Sequence, residues 1–374
     1  MTGGSLQLML LMGKMVAVPA PAILTDALQS VQVTTSSDAA SGFQLTLSVS
    51  KNSPITRVLL PTGLLDPKTR VIVMAVVSGL PHVLMDGVIT RHELDPGQAP
   101  GSATLTLTGE DLSLLMRLEH RRESYDGLPR QLQVAMVCAR YAEYGIIPAP
   151  VPPVIEELPL PDCAAPVQTQ TDLDYLKGLA QRSGYVFFIE PGPLPGANIA
   201  YWGPEVRTGV PQPALTVNSD AATNVESLRF AYDGLSATEY TIDVTLPVIK
   251  TTVGVPVPDV SLLRPPLAVR PAPAFTTKPL PDLTGRSLPD KLLLGLSRTA
   301  ESRDSVTAQG GLDVLRYGHV LKARQLVGVR GAGPAHDGLY YVRSVTHEIK
   351  RGEYRQSFSL VREGFVSSTP VVIP

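Results

Sequence analysis

Charge is scarce in this sequence. Asp, Glu, Lys and Arg make up 18% of its 374 residues, and 32 Lys+Arg against 34 Asp+Glu leave a net charge of -2. Nucleic-acid binders carry a strong basic surplus, so that class is excluded. Aromatic residues are 5%, with one tryptophan, Trp202. A carbohydrate-binding adhesion module, which needs exposed aromatic platforms, therefore has little to build on. Cysteine is almost absent. Cys138 and Cys163 cannot form a disulfide framework, and without a CxxC or Cys/His cluster no zinc site is expected. Cys138 reads as a small buried hydrophobe and Cys163 as an incidental thiol. The longest apolar stretch, Leu6 to Leu24, has Lys14 in its middle and Pro19 and Pro21 near its end. It lacks the leading charge of a signal peptide and the unbroken length of a membrane helix, so a soluble protein made in the cytoplasm, with no membrane insertion, is expected.

Glycine and proline are plentiful, 31 and 35 residues. Together they exceed the roughly 12% of ordinary usage, which favours turns and extended linkers over a helical bundle. At roughly 100–200 residues per domain the length allows two to four domains. Strict alternation over Phe43–Ser50 marks a half-buried strand, and Arg70–Val77 with Val83–Leu94 reads as a hairpin. Ala103–Thr108 alternates again. Thr108-Gly109-Glu110-Asp111 resembles a capping box opening a helix, and a second helix is expected over Arg130–Tyr144, ended by Gly145. Residues 148–166 hold seven prolines and read as an extended strap. Thr171 caps a helix with Asp172 and Asp174 in its first turn, and Tyr185–Ile189 follows as a strand. Val225–Tyr232 and Glu239–Val248 read as strands, then residues 247–289 carry ten prolines and few strong signals. A helix over Asp290–Arg303 and strands over Tyr317–Val329, Gly338–Lys350 and Glu353–Arg362 complete the chain. The two β regions could be diverged duplicates, the second closing across the proline-rich insert.

The search for chemistry yields no catalytic residue. None of the six histidines pairs with another at metal-ligand spacing, and HExxH and GxSxG are both missing. His347 in its strand reads as structural, His336-Asp337 as part of a turn, and Asp172 with Asp174 as helix capping rather than a carboxylate pair. His120-Arg121-Arg122 reads as a solvated helix end. No cofactor or metal is expected.

Three segments, taken in order, carry a family resemblance. Thr171-Asp172-Leu173-Asp174-Tyr175-Leu176-Lys177-Gly178-Leu179-Ala180 through Gly184-Tyr185-Val186-Phe187-Phe188 is the most specific. Thr108 to Ser113 with the Tyr144-Gly145 helix end is the second, and Gly338–Val342, Ser344–His347 and Gly352–Arg362 form the third. They resemble the central baseplate hub proteins of contractile phage tails and injection systems: the late control gene D family and the hub portion of type VI secretion spike proteins. The resemblance implies a fold that is mainly β with α+β parts: two tube-type antiparallel β-barrel domains, a small α/β middle region and a Pro-rich insert. The expected boundaries are 1–125 for the first barrel and its trailing helix, and 126–222 for the middle region. The second barrel takes 223–250 and 312–364, the insert and its helix 251–311, and a tail 365–374.

The same resemblance implies a homotrimer. Six similar barrels would adapt a sixfold inner tube to a threefold spike within a phage tail or injection particle assembled in bacteria. Its expected partners are the inner tube protein, a separate spike protein and other baseplate components. Phe365, Val366, Val371, Val372 and Ile373 are apolar for a chain end and are the candidate partner contacts. The alternatives are a short strand folded back on its own barrel for that tail and, for the whole chain, a cell-wall hydrolase or an adhesion module.

Overall fold

Alternating apolar residues with a period of two cannot be buried by one isolated hairpin, so the strands gather into a broad sheet. In the computed structural model, which describes residues 6–99, 102–153, 167–246, 251–257, 264–280 and 288–369, that sheet has 13 strands. Twelve of these form two sets of six, one in each half of the chain, and the thirteenth is the short Val18–Pro19. In the first half they are, in chain order, Leu6–Gly13, Leu28–Ser36, Gly42–Ser48, Arg70–Val77, Leu80–Asp95 and Thr104–Asp111. In the second they are Gln212–Thr216, Ser227–Tyr232, Val306–Asp313, Leu326–Arg330, Gly338–Lys350 and Glu353–Arg362. Numbered one to six in each half, both sets pair in the spatial order two, three, six, five, four, one. The fifth strand carries a bulge against the sixth in both, between Ile89 and Arg91 in the first half and between Val342 and Ser344 in the second. The chain therefore contains a structural repeat.

The two halves are not separate sheets. Gly338–Lys350 pairs antiparallel with Leu28–Ser36, from Ser344 opposite Ser36 to Lys350 opposite Ser30, and fuses them into one. A single core follows, with Leu45, Leu47 and Leu107 of the first half and Leu312, Val327 and Leu360 of the second all fully buried. Expected strands 43–50, 70–77, 338–350 and 353–362 are present with nearly those limits. Leu6–Gly13, Leu28–Ser36 and Val306–Asp313 lacked a clear sequence signal. The apolar start is a strand on the sheet; after the bend at Lys14 the chain turns back, and Val18 and Pro19 pair with Met12 and Leu11.

Between the repeats lies a small α/β lobe. Helices Arg130–Ala139 and Asp172–Arg182 cover a three-stranded sheet in which Asn198–Gly203 is central, between Ile146–Pro150 and Val186–Pro191. Trp202, Leu176, Val137 and Cys138 fill its core, and Tyr125 stacks on Tyr175 at 5.2 Å between ring centres. Pro148 and Pro150 sit on an edge strand, where a missing donor is tolerated. The rest of the expected strap, residues 154–166 with Cys163, lies outside the described residues.

Four expectations need correction. Thr108–Asp111 is the end of a strand; only Asp111 caps, its Oδ1 accepting from Ser113 N at 2.8 Å to open the 3-10 helix Leu112–Arg117. Tyr317–Val329 is not one strand, because Asp313 caps the short helix Val314–Tyr317 and Gly318, at φ 79°, turns the chain before Leu326–Arg330. Thr238–Leu246 does not join the second repeat. It is the centre of a three-stranded sheet flanked by Thr251–Pro256 and Thr276–Pro279, covered by helix Leu288–Ser302, with Ile242, Val257, Leu280 and Leu294 between them. The described parts of the proline-rich insert thus include strands, Thr251–Pro256, Ala268–Pro271 and Thr276–Pro279, each at a sheet edge. Arg121 is not a solvated helix end: its Nε lies 3.3 Å from the buried Asp172 carboxylate.

Candidate functional site

The chain's last described strand, Gly364–Ser367, pairs antiparallel with Ala268–Pro271 of the insert. The candidate contacts Phe365 and Val366 therefore face opposite ways. Phe365 turns inward, its ring 4.6 Å from Tyr232 and 5.5 Å from His336, which itself stacks on Phe230 at 4.5 Å. Val366 turns outward, 45% exposed, at φ 60°, a left-handed conformation that costs a β-branched residue of order 1–3 kcal/mol. Its N–H donating to Ala335 O at 3.2 Å helps to hold it there. Val371, Val372 and Ile373 lie outside the described residues.

What fixes this corner is Arg362, fully buried and bonded to backbone carbonyls rather than in direct ion-pair contact with a carboxylate among the described residues. Its Nε donates to Gly364 O at 2.8 Å, Nη1 to Asp337 O at 2.9 Å and Nη2 to Ala335 O at 2.8 Å, and the guanidinium lies 4.4 Å from the Tyr340 ring centre. Burial moves its pKa below the usual arginine value. The loop it grips needs glycine: Gly338 has φ 118°, and a Cβ there would lie 2.1 Å from that of Ser367. Beside this corner opens a cleft of about 330 Å³ lined by Tyr232, Leu235, Arg270, Pro271, Phe275 and Phe365. Leu235 and Phe275 are 73% and 69% exposed, so the cleft has an apolar rim with one cation.

Buried ion clusters hold the surrounding parts together. Asp304, at the end of the insert, accepts from Arg207 at 2.7 and 2.6 Å and from Arg264 at 3.1 Å, with Arg343 at 3.4 Å. Burial pushes its carboxyl up, but the three guanidiniums more than offset this and hold it below the usual range. Arg70 binds Asp86 through two nitrogens at 2.8 and 2.7 Å and donates to Tyr144 O, tying the first repeat to the lobe. Asp172 accepts from Gln168 at 2.6 Å, Tyr141 at 2.8 Å and Arg140 at 3.0 Å. A carboxylate so saturated by donors is a fastener, and its role goes beyond the helix capping read from sequence. The signal that could have found it is the set Arg121, Arg140, Tyr141 and Gln168, scattered over 48 positions, which only the fold brings together.

His347 is buried, with Nδ1 2.8 Å from the Tyr354 hydroxyl and 3.1 Å from Gln356 Nε2; burial, with His82 nearby, takes its pKa down to about 3. Asp337 accepts from Ala332 N at 2.8 Å, which is turn chemistry. Burial pushes the Cys138 thiol up to about 12, leaving it inert as a nucleophile. Among the described residues no group of three His, Cys, Asp or Glu is placed to hold a metal, and no helix is long and apolar enough to cross a membrane.

No protein-family model matches the sequence, and no curated protein matches it. Solved structures do resemble it. A tail protein from Neisseria meningitidis MC58 aligns over 96% of this chain and 98% of its own, at 15% identity and a TM-score of 0.59. The 43 kDa tail protein of prophage MuSo2 from Shewanella oneidensis aligns over 95% and 98%, at 14% identity and 0.61. An E. coli protein described as a component of the type VI secretion system, with structural similarity to T4 bacteriophage tail proteins gp27 and gp5, aligns over 93% and 77%, at 11% and 0.52. The chain has the fold of these proteins, which are described as phage tail proteins and as a component of the type VI secretion system.

Proposed function

We propose that the protein is a structural baseplate hub of a contractile tail or injection particle, a homotrimeric ring between the inner tube and a separate spike protein. The observation that carries this reading is the repeat: one chain holds two six-stranded units of the same spatial order fused in one sheet. Three copies would present six similar units, which matches a sixfold partner on one side and a threefold one on the other. The fold shared with tail proteins over nearly the whole chain supports the same reading. The apolar cleft beside Phe365, with the outward Val366, is the surface assigned to the spike or to a neighbouring copy. An image of the purified complex should show a threefold ring with a lumen. A folded monomer at high concentration with the spike protein present would overturn the reading. Deleting residues 365–374 should weaken spike co-purification while the sheet stays folded; unchanged binding would remove the docking role.

A further inference from the structure

We propose that copies of this chain join head to tail through two sheet edges. The free flank of Ser227–Tyr232 on one copy pairs antiparallel with residues 91–95 of the next, setting Asp95 against Arg229 and Arg91 against Asp233. The proposal rests on the ring reading above and names its interface.

The template is already inside the molecule. The fifth strand of the second repeat pairs with the second strand of the first, from Ser344 opposite Ser36 to Lys350 opposite Ser30. That joint uses one edge of each repeat and leaves the matching pair open: the second strand of the second repeat and the fifth strand of the first. Among the described residues, Ser227–Tyr232 pairs only with Val306–Asp313. The fifth strand of the first repeat pairs with Arg70–Val77 only as far as Val88, so beyond it residues 91–95 bond only to the sixth strand.

The bulges align the repeats residue by residue. Arg91 follows its bulge as Ser344 follows its own, so Leu94 corresponds to His347 and Asp95 to Glu348. Counting through the third strands, where Gln44 falls on Gln309 and Leu47 on Leu312, places Val33 on Phe230 and Gln32 on Arg229. Within the chain, His347 faces Val33 and Glu348 faces Gln32. Carried to the open edges, the same register sets Leu94 against Phe230 and Asp95 against Arg229. At the far end Arg91 takes the place of Ser344 and meets Asp233, the counterpart of Ser36.

Of the three charged residues in 91–95, Arg91 and Asp95 meet the opposite sign, and Glu93, 3.0 Å from Arg91 along its own strand, falls opposite Ala231. A slip of one residue would lose both pairs and turn each side chain to the wrong face. Leu94, 50% exposed on its free edge, would be covered as His347 is covered in the internal joint. Arg229 has no carboxylate partner among the described residues, and Asp95 accepts only from the Gly97 N–H. Both are available. The contact is heterologous, so it closes into a ring when the rotation between copies allows.

Charge reversal tests the pairing on the full chain by light scattering over a concentration series. Either Asp95→Arg or Arg229→Asp should raise the dissociation constant about tenfold or more, and the double variant should restore assembly, because the pair is re-formed with its signs exchanged. Both sites are exposed, so folding by circular dichroism should be unchanged. As a second readout, Asp95→Cys/Arg229→Cys in a Cys163→Ser background should cross-link between copies with a short bismaleimide. Oligomers that form normally in both single reversals, or that fail to cross-link, overturn this interface and leave the ring reading standing. A chain that stays monomeric alone at all concentrations also overturns it. A threefold ring imaged with the spike protein present tests the ring reading separately.

Discussion

Where the first repeat sets Phe43 across from Gly109, the second sets Ala308 across from Leu360; where the first sets Leu45 across from Leu107, the second sets Gly310 across from Phe358. Each repeat fills the same space between its third and sixth strands, with the bulk shared out differently. Packing to near-crystalline density demands a total volume at these positions, not a particular residue. That is why the duplication is plain in strand order and faint in sequence. The repeats differ more openly in the link between their second and third strands. The first crosses with a turn over residues 37–41, the second opens to admit residues 233–305. Arg343 stands at the meeting point, 3.1 Å from Asp38 of the short turn and 3.4 Å from Asp304 of the long insert.

The largest effect should come from breaking the anchor of the insert. Asp304→Ala leaves Arg207, itself buried, without its carboxylate, and should cost about 3–5 kcal/mol by urea unfolding, beginning in the insert. Proteolysis should then cut first within 233–305; a uniformly stable variant would show that the insert does not depend on this ion cluster. Phe43→Ala empties the bulky side of the first repeat and should cost a similar 3–5 kcal/mol. Gly109→Ala should cost about 1–3 kcal/mol, because a Cβ would lie 2.3 Å from the Phe43 ring and 2.5 Å from Val88 O. In a double-mutant cycle, Phe43→Ala should relieve only the ring's share. Full additivity would show that the two positions do not compete for space.

His347 occupies in the second repeat the position Leu94 occupies in the first, and the pH dependence should follow that difference. An unfolded histidine titrates near 6.5, whereas here burial keeps the ring neutral down to about 3. Below pH 6.5 the unfolded chain binds a proton that the folded chain refuses. Stability is therefore complete above 6.5 and falls as pH drops toward 3, by up to ~1.4 kcal/mol per unit from this group. Urea midpoints at pH 7, 6 and 5 measure the slope, and His347→Leu should flatten it while lowering stability at pH 7, since Tyr354 and Gln356 lose their partner. The smallest effect belongs to Asp38→Ala, about 0–1 kcal/mol, because that carboxylate is mostly exposed and solvent screens its pairing with Arg343. A loss as large as that of Asp304→Ala would erase the contrast between the two links.

The strands with an apolar face toward the core and a polar face outward, Gly42–Ser48 and Glu353–Arg362 among them, could be read from residues alone, because a period of two has a single structural meaning. So could the helix capped by Thr171, whose hydroxyl accepts from Asp174 N at 3.2 Å, since capping acts within four residues. The segments that misled are those whose partners are distant. Thr238–Leu246 alternates as well as any strand here, but alternation says that a sheet exists, not which one, and its neighbours are Val255 and Lys278 rather than the second repeat. At the candidate site, sequence singled out Phe365 and Val366 by their apolar character. Arg362 gave no such sign, since its partners Ala335 and Asp337 are backbone carbonyls that any residue supplies. Local alternation, capping and turn chemistry were settled by neighbours in the chain; the fusion of the repeats through Ser344–Lys350 and the gathering of three arginines around Asp304 arose only where long-range pairing brought distant segments within hydrogen-bonding reach.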